Sequence, residues 1–256
     1  MLSPTRKTTT TGAAFRALAA GAAMAALTLT GCTRVESTAP STVRATDAQA
    51  RFGTVDCREA RCIALTFDAG PSEHSARLLD ILEEERVPAT FFLLGERHID
   101  TYPDLVRRMA DEGHEVASHT WTHRILTELE PDEIREELER TNDGIERLTG
   151  RLPTLMRPPQ GRTNDTVHEI SRELRLSEVL WSVTAKDYRT TDSDLITRRV
   201  LAQSSRDGII LLHDLYDGTV PAVPGIIDAL KRRGYVFVTV PQLLAPGKAE
   251  PGAVYR

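Results

Sequence analysis

From Cys62 onward the sequence alternates between short apolar runs and stretches with apolar residues three and four apart, and this alternation constrains the fold more than any other feature. The strand-like runs are Ile63–Phe67, Thr90–Leu94, Glu115–Ser118, Leu155–Arg157, Val179–Val183, Ile209–Leu212 and Val236–Val240. Between them lie helical patterns. One is marked by Leu78, Leu79 and Leu82, another by Leu105, Val106 and Met109. The longest, Asp132–Leu148, has Ile134, Leu138, Ile145 and Leu148 along one face. Strands alternating with helices require a parallel sheet covered on its faces, either open or closed into a barrel. The class is α/β, with about seven parallel strands, and in both architectures functional groups belong at the C-terminal ends of the strands.

Chemically able residues fall at those ends. The first run leads into Asp68-Ala69-Gly70-Pro71, the third into His119-Thr120-Trp121-Thr122-His123, and the fourth into Arg157-Pro158-Pro159-Gln160. The fifth leads on to Asp187-Tyr188, and the sixth ends in His213-Asp214. His119 and His123, spaced i, i+4, present two imidazoles suited to one metal ion. Thr120 stands where a zinc protease would need its glutamate, so that reading fails. Asp68 suits a general base and His213 a proton donor or acceptor. Arg157, stiffened by two prolines, is placed to orient Asp68. His114 precedes its strand and reads as a structural histidine.

In this order the motifs resemble those of the polysaccharide deacetylases with a NodB homology domain, carbohydrate esterase family 4. Thr66-Phe67-Asp68-Ala69-Gly70 is similar to T-F-D-D-G, and His119–His123 matches H-[ST]-x-x-H. Arg157-Pro158-Pro159-Gln160 is similar to R-x-P-Y, with Gln160 for the tyrosine. Asp187-Tyr188 stands for an Asp-Trp pair, and Ile210–His213 for an apolar strand closing in histidine. The resemblance implies a distorted (β/α) barrel and hydrolytic removal of acetyl groups from an N- or O-acetylated cell-wall polysaccharide. His119 and His123 would bind Zn2+, or Co2+ or Ni2+. Asp68 would be the base, braced by Arg157, and His213 the acid, its charge set by Asp187. Gln160 (through a nearby backbone N–H), Tyr188 and Leu211 would contact substrate.

Ala69 departs from that pattern, because the family's third metal ligand is an aspartate at this place and an alanine side chain coordinates nothing. The expectation is a weakened metal site in a working enzyme; the alternative is a non-catalytic, glycan-binding member of the fold. Glu73 or Asp68 moving in, or a water, would be ways to complete the site.

The N-terminus carries Arg6, Lys7 and Arg16 ahead of a 14-residue apolar run, Ala17 to Thr30. That is short of the roughly 20 residues needed to span a bilayer and reads as an export signal. Leu29-Thr30-Gly31-Cys32 resembles a lipobox, so residues 1–31 are expected to be removed and Cys32 to carry a lipid, with plain secretion as the rival. Residues 32–56, rich in Thr, Ser and Ala, read as a tether, 57–245 as the domain, and 246–256 as a tail. Outside the cytoplasm Cys57 and Cys62 would pair. With 32 basic against 37 acidic residues there is no basic stripe and no reason to expect nucleic acid. A monomer, held to the membrane only by its lipid, is the default expectation.

Overall fold

A computed structural model describes residues 35–45 and 55–256; the expected signal, lipobox and Cys32 lie outside the described residues. The strands are β1 Arg61–Gly70, β2 Thr90–Leu93, β3 Glu115–Ser118, β4 Leu155–Met156, β5 Ser177–Val179, β6 Val183–Thr184, β7 Gly208–His213, β8 Tyr235–Val238 and β9 Val254–Tyr255. The helices are α1 Pro40–Ala45, α2 Ser75–Glu85, α3 Pro103–Asp111, α4 Pro131–Thr149, α5 Asp165–Glu173, α6 Ser193–Gln203, α7 Thr219–Arg232 and α8 Val240–Leu244. The strands pair in parallel in the order β6-β7-β1-β2-β3-β4-β5-β9, and β8 pairs with the first half of β1. This is a curled sheet of the distorted (β/α) barrel type.

The period of two along each strand divides the core. Ile63, Leu65 and Phe67 of β1, Phe91 and Leu93 of β2, and Ile210 and Leu212 of β7 pack with apolar residues of α2, α3, α6 and α7. The alternate residues Ala64, Phe92, Ala117, Leu155, Val179 and Ile209 fill the inside of the sheet. Continuing that inward parity upward brings Thr66 and Asp68 on β1, and Leu211 and His213 on β7, to the interior. In the β1–β7 register Asp68 stands directly beside His213. Local signals fix the helices that carry the loops: Pro131 opens α4 behind a reciprocal Glu130–Glu133 capping box, and Gly150 closes it at φ 70°.

Four expectations change. The run Val179–Val183 is two strands, broken at Leu180–Ser182, because the Arg157 guanidinium takes the carbonyls of Val179 (2.8 Å) and Leu180 (3.2 Å). The run to Val240 stops at Val238, where Thr239 and Gln242 form the capping box of α8. The expected tail is part of the sheet: Val254 and Tyr255 are buried and extend β5. Within the expected tether, residues 35–45 are docked. There α1 places Val43 in the interior cluster, and Arg44 bonds Asp207 (2.6 Å) and the Leu243 carbonyl (2.7 Å). Short segments without strong periodicity leave little trace in sequence, and burial of single side chains decides them. Cys57 and Cys62 form a buried disulfide at the start of β1.

Candidate active site

One side of the site is a buried ion pair. Arg157 Nη1 donates to Asp68 Oδ1 at 2.6 Å and to Thr66 Oγ1 at 2.8 Å, and the guanidinium lies 4.1 Å from the Phe92 ring centroid. Together with the Val179 and Leu180 carbonyls, these contacts fix the guanidinium from several sides. Burial lowers the Arg157 pKa, and the charge and hydrogen bond of Asp68 oppose that. Asp68 Oδ2 faces the other way, 3.9 Å from His119 Nε2.

The other side is built differently. His213 Nδ1 lies 2.9 Å from Asp187 Oδ1, while Asp187 Oδ2 accepts from the His213 backbone N–H (2.8 Å) and from Thr219 Oγ1 (2.9 Å). A carboxylate so engaged makes Nδ1 the donor and leaves Nε2 to face the cleft. Burial is the largest single influence on His213 and pushes its pKa down, but the hydrogen bond and charge of Asp187, aided by Asp68, outweigh it and leave the pKa raised.

The two imidazoles of the His119–His123 motif sit on a tight turn. His119 Nδ1 lies 2.7 Å from the Arg157 carbonyl, which can only accept, so Nε2 carries the lone pair. Burial holds His119 down at about 4, keeping it neutral, with Asp68 opposing. Desolvation also lowers His123, whose ring meets that of His119 edge-on at 4.9 Å. Thr120 (φ 74°) and His123 (φ 63°) occupy the left-handed region, which non-glycine residues adopt at a cost. Glu137 of α4 holds this backbone by accepting from the N–H groups of Trp121 (2.9 Å) and Thr122 (2.8 Å) and from the Thr122 hydroxyl. The Trp121 indole packs so close to Gly95 that any side chain there would collide with it.

A bulge in β1 between Asp68 and Gly70 breaks the alternation, and Ala69 takes φ 64°. Asp68 and Ala69 are therefore both presented to the site. Ala69 lines a cleft of about 340 Å³ with His98, Trp121, His123, His213 and Tyr216 among its walls. Among the described residues no three His, Cys, Asp or Glu side chains already converge as a metal site. His119 and His123 nevertheless fit a divalent ion that favours nitrogen, since His119 is neutral and its ring is oriented by a backbone carbonyl.

The structure thus gathers Asp68, Arg157, His119, His123, Asp187 and His213 at the C-terminal ends of the strands. Tyr188 is 47 % exposed and stands edge-on to His213 at 6.1 Å. Gln160 is exposed in a turn at φ 58°. Leu211 is inside the sheet beside Thr66, only 5 % exposed, and lines no described cleft. Glu73 is exposed and outside the cleft. His114 is buried and accepts the Ala89 N–H through Nδ1, as a structural histidine does. Sequence reasoning passed over Glu137, one acid among many on α4, and Tyr216, whose ring lies 5.3 Å from His213. It also passed over His98, which no motif marks. Asp214 is fully buried: its Oδ2 accepts from Ser75, its Oδ1 has no partner, and burial pushes its pKa up to about 6.

A curled parallel sheet with a carboxylate and an imidazole on adjacent strands and two further imidazoles beside them defines a NodB-like barrel with a hydrolase-type site. The family model described as polysaccharide deacetylase matches residues 56–179. The peptidoglycan-N-acetylmuramic acid deacetylase PdaC of Bacillus subtilis is 39% identical over 191 residues, covering 74% of this chain and 40% of that protein. A chitooligosaccharide deacetylase of Bradyrhizobium is 38% identical over 204 residues, covering 73% and 93%. The chain belongs to the polysaccharide deacetylase family. It spans only about two fifths of the B. subtilis relative's length. Among solved structures, a T48 deacetylase with substrate superposes with a TM-score of 0.76 at 38% identity, covering 79% of this chain and 100% of that one. An acetyl xylan esterase of Clostridium thermocellum, solved with a cobalt ion, gives 0.71 at 36%, covering 76% and 97%. A mutant of BA3943, a pseudoenzyme of carbohydrate esterase family 4 with restored activity, gives 0.70 at 30%, covering 75% and 70%.

Proposed function

We propose that this protein hydrolyses acetyl groups from an N-acetylated cell-wall polysaccharide, with a divalent metal at His119 and His123, Asp68 as base and His213 as acid. The observation that carries this reading is the register of β1 against β7, which sets Asp68 beside His213, each with its own counter-charge. Asp68 takes a proton from the attacking water as its oxygen adds to the acetyl carbon. A metal, when bound, polarises the acetyl carbonyl and makes water more acidic. A backbone N–H near Gln160, in its left-handed turn, is proposed to help hold the oxyanion. As the C–N bond breaks, His213 gives its proton to the departing nitrogen through Nε2, while Asp187 stabilises the imidazolium. Acetate and a free amino sugar result, and proton exchange with solvent resets Asp68 and His213. Tyr188 and Tyr216, flanking His213, offer ring faces to the sugar.

Export, with a lipid at Cys32 or by plain secretion, would bring this site to the wall and favours peptidoglycan as the polysaccharide. Ala69 favours one second reading, a wall-bound member that binds glycan without cleaving it. Acetate release separates the two. Metal-stripped protein titrated with Zn2+ or Co2+ on peptidoglycan, N-acetylglucosamine oligomers and acetylxylan should show metal-dependent turnover that His119→Ala abolishes. Glycan binding with no acetate at any metal concentration would establish the second reading.

A further inference from the structure

The register that sets Asp68 beside His213 is also the last rung between β1 and β7. β7 ends at His213, and β1 bulges directly after Asp68. Above that rung no ladder holds the two residues side by side, so the chain past each strand end decides whether they stay there. Past His213 comes Asp214, 0 % exposed, and past the bulge comes the turn of residues 70–75. Side chain and main chain join the two. The Ser75 hydroxyl donates to Asp214 Oδ2, and its oxygen accepts the Ser72 N–H at 2.7 Å. The Ser72 hydroxyl donates to the Asp214 carbonyl at 2.9 Å and accepts the His74 N–H at 3.1 Å. Gly70 lies against the same carboxylate, with no room for a side chain. On its far side the turn is fixed to the end of β2 and the turn after it. There the Leu94 N–H donates to the Gly70 carbonyl at 3.0 Å, and His98 Nδ1 lies 2.9 Å from the carbonyl oxygen of Pro71. Asp214 Oδ1 has no partner among the described residues. Leaving a buried carboxyl oxygen unsatisfied is destabilising, and folds keep such groups mainly where a site depends on them.

We propose that Asp214 is a positioning residue: by tying the turn of residues 70–75 to the end of β7, it keeps Asp68 and His213 at the spacing that hydrolysis needs. This rests on the reading of Asp68 as base and His213 as acid. Asp214 acts through the two strand ends and takes no part in proton transfer itself. Small displacements matter here, because a shift of about 1 Å between reacting groups can cost about 100-fold in rate. The role requires an acceptor for the Ser75 hydroxyl at the place of Oδ2, and it does not require a charge.

The test is acetate release by the full chain, supplied with Zn2+, on N-acetylglucosamine oligomers and peptidoglycan fragments, with urea midpoints measured alongside. Asp214→Ala should lower kcat by about tenfold or more while KM stays within about twofold. Ser75→Ala cuts the same bond from the other end and should act likewise, and the double variant should lose no more than the worse single one. Asp214→Asn keeps the acceptor and should recover most of kcat. A folded Asp214→Ala with kcat within about twofold of the parent overturns the proposal whatever its urea midpoint, because the residue then serves stability alone. If that variant does not fold, an unchanged kcat in Ser75→Ala overturns it instead. Losses that add in the double variant would separate the two residues, and an Asp214→Asn as slow as Asp214→Ala would make the carboxyl group itself a reactant; each overturns the proposal too. A parent protein that releases no acetate overturns it together with the reading on which it rests.

Discussion

Two carboxylates at the top of the barrel each pair with a basic side chain, yet their surroundings differ and suit them to opposite duties in the proposed reaction. Asp68 faces a guanidinium that cannot give up its proton, fixed by two carbonyls, a hydroxyl and the Phe92 ring. The cation is scaffolding there, and the carboxylate, with Oδ2 turned toward the imidazoles, is the group free to react. Across the strand pair Asp187 is the scaffold: both its oxygens are engaged, and the imidazole it holds is the group that titrates. In the proposed reaction the same chemical pairing serves as a base on one side and an acid on the other, according to which partner the fold immobilises.

Removing the first carboxylate should have the largest effect. Asp68→Asn takes away the proposed base, which typically supplies 10²–10⁴-fold, so kcat should fall by about that factor. It also leaves Arg157 buried without its counter-charge, which costs about 3–5 kcal/mol in comparable pairs. Turnover and urea midpoint should therefore fall together. Retained turnover in the folded variant would mean that another group takes the proton, and the contrast between the two pairs would collapse.

Asp187→Asn tests the other pair through pH. Burial pushes His213 down and Asp187 pushes it up, with the second prevailing. Without the charge, the His213 pKa falls, a smaller fraction of the imidazole is protonated at neutral pH, and the alkaline limb of kcat/KM moves to lower pH. Activity near pH 8 should drop by about tenfold or more, and part of it should return on acidification. An alkaline limb that stays in place would show that His213 is not the acid.

Both pairs were legible in the sequence because each member ends an apolar strand or follows one closely, and parallel topology sends all such ends to one face. What was not legible is what a one-dimensional pattern does not carry. The bulge that aims Ala69 into the cleft is a backbone event with no marker in the sequence. Glu137 matters because the turn carrying Thr120 and His123 is strained and needs acceptors from α4, a relation visible only once the helix is packed. His98 lies outside every strand end, in an irregular turn that the helix pattern does not predict. The docked segments at residues 35–45 and 254–255 were missed for the simpler reason that a two-residue strand and a six-residue helix have almost no periodicity.

A third buried carboxylate, Asp214, extends the comparison to a case in which no ion pair is made among the described residues. It sits immediately after His213, but among the described residues Ser75 is the one side chain that donates to its carboxylate, and Gly70 is pressed so close that a methyl group there would meet its oxygens at 2.5 Å. Burial raises its pKa to about 6, the Ser75 hydrogen bond offsetting only part of that. Unfolded, an aspartate titrates near about 3.9. Between the two values the folded protein holds a proton that the unfolded chain has released. The stability this group contributes is therefore full at the acidic end and is lost as pH rises through about 6. Asp214→Asn cannot titrate, so its urea midpoint, compared with the parent's at pH 4.5 and 7.5, should fall less or rise more over that interval. The comparison of slopes is the useful one, because the amide also changes the contact with Ser75 at every pH. Parallel slopes would mean that Asp214 finds a cation or solvent when charged, and that Asp68 and Asp187 are not alone in being compensated.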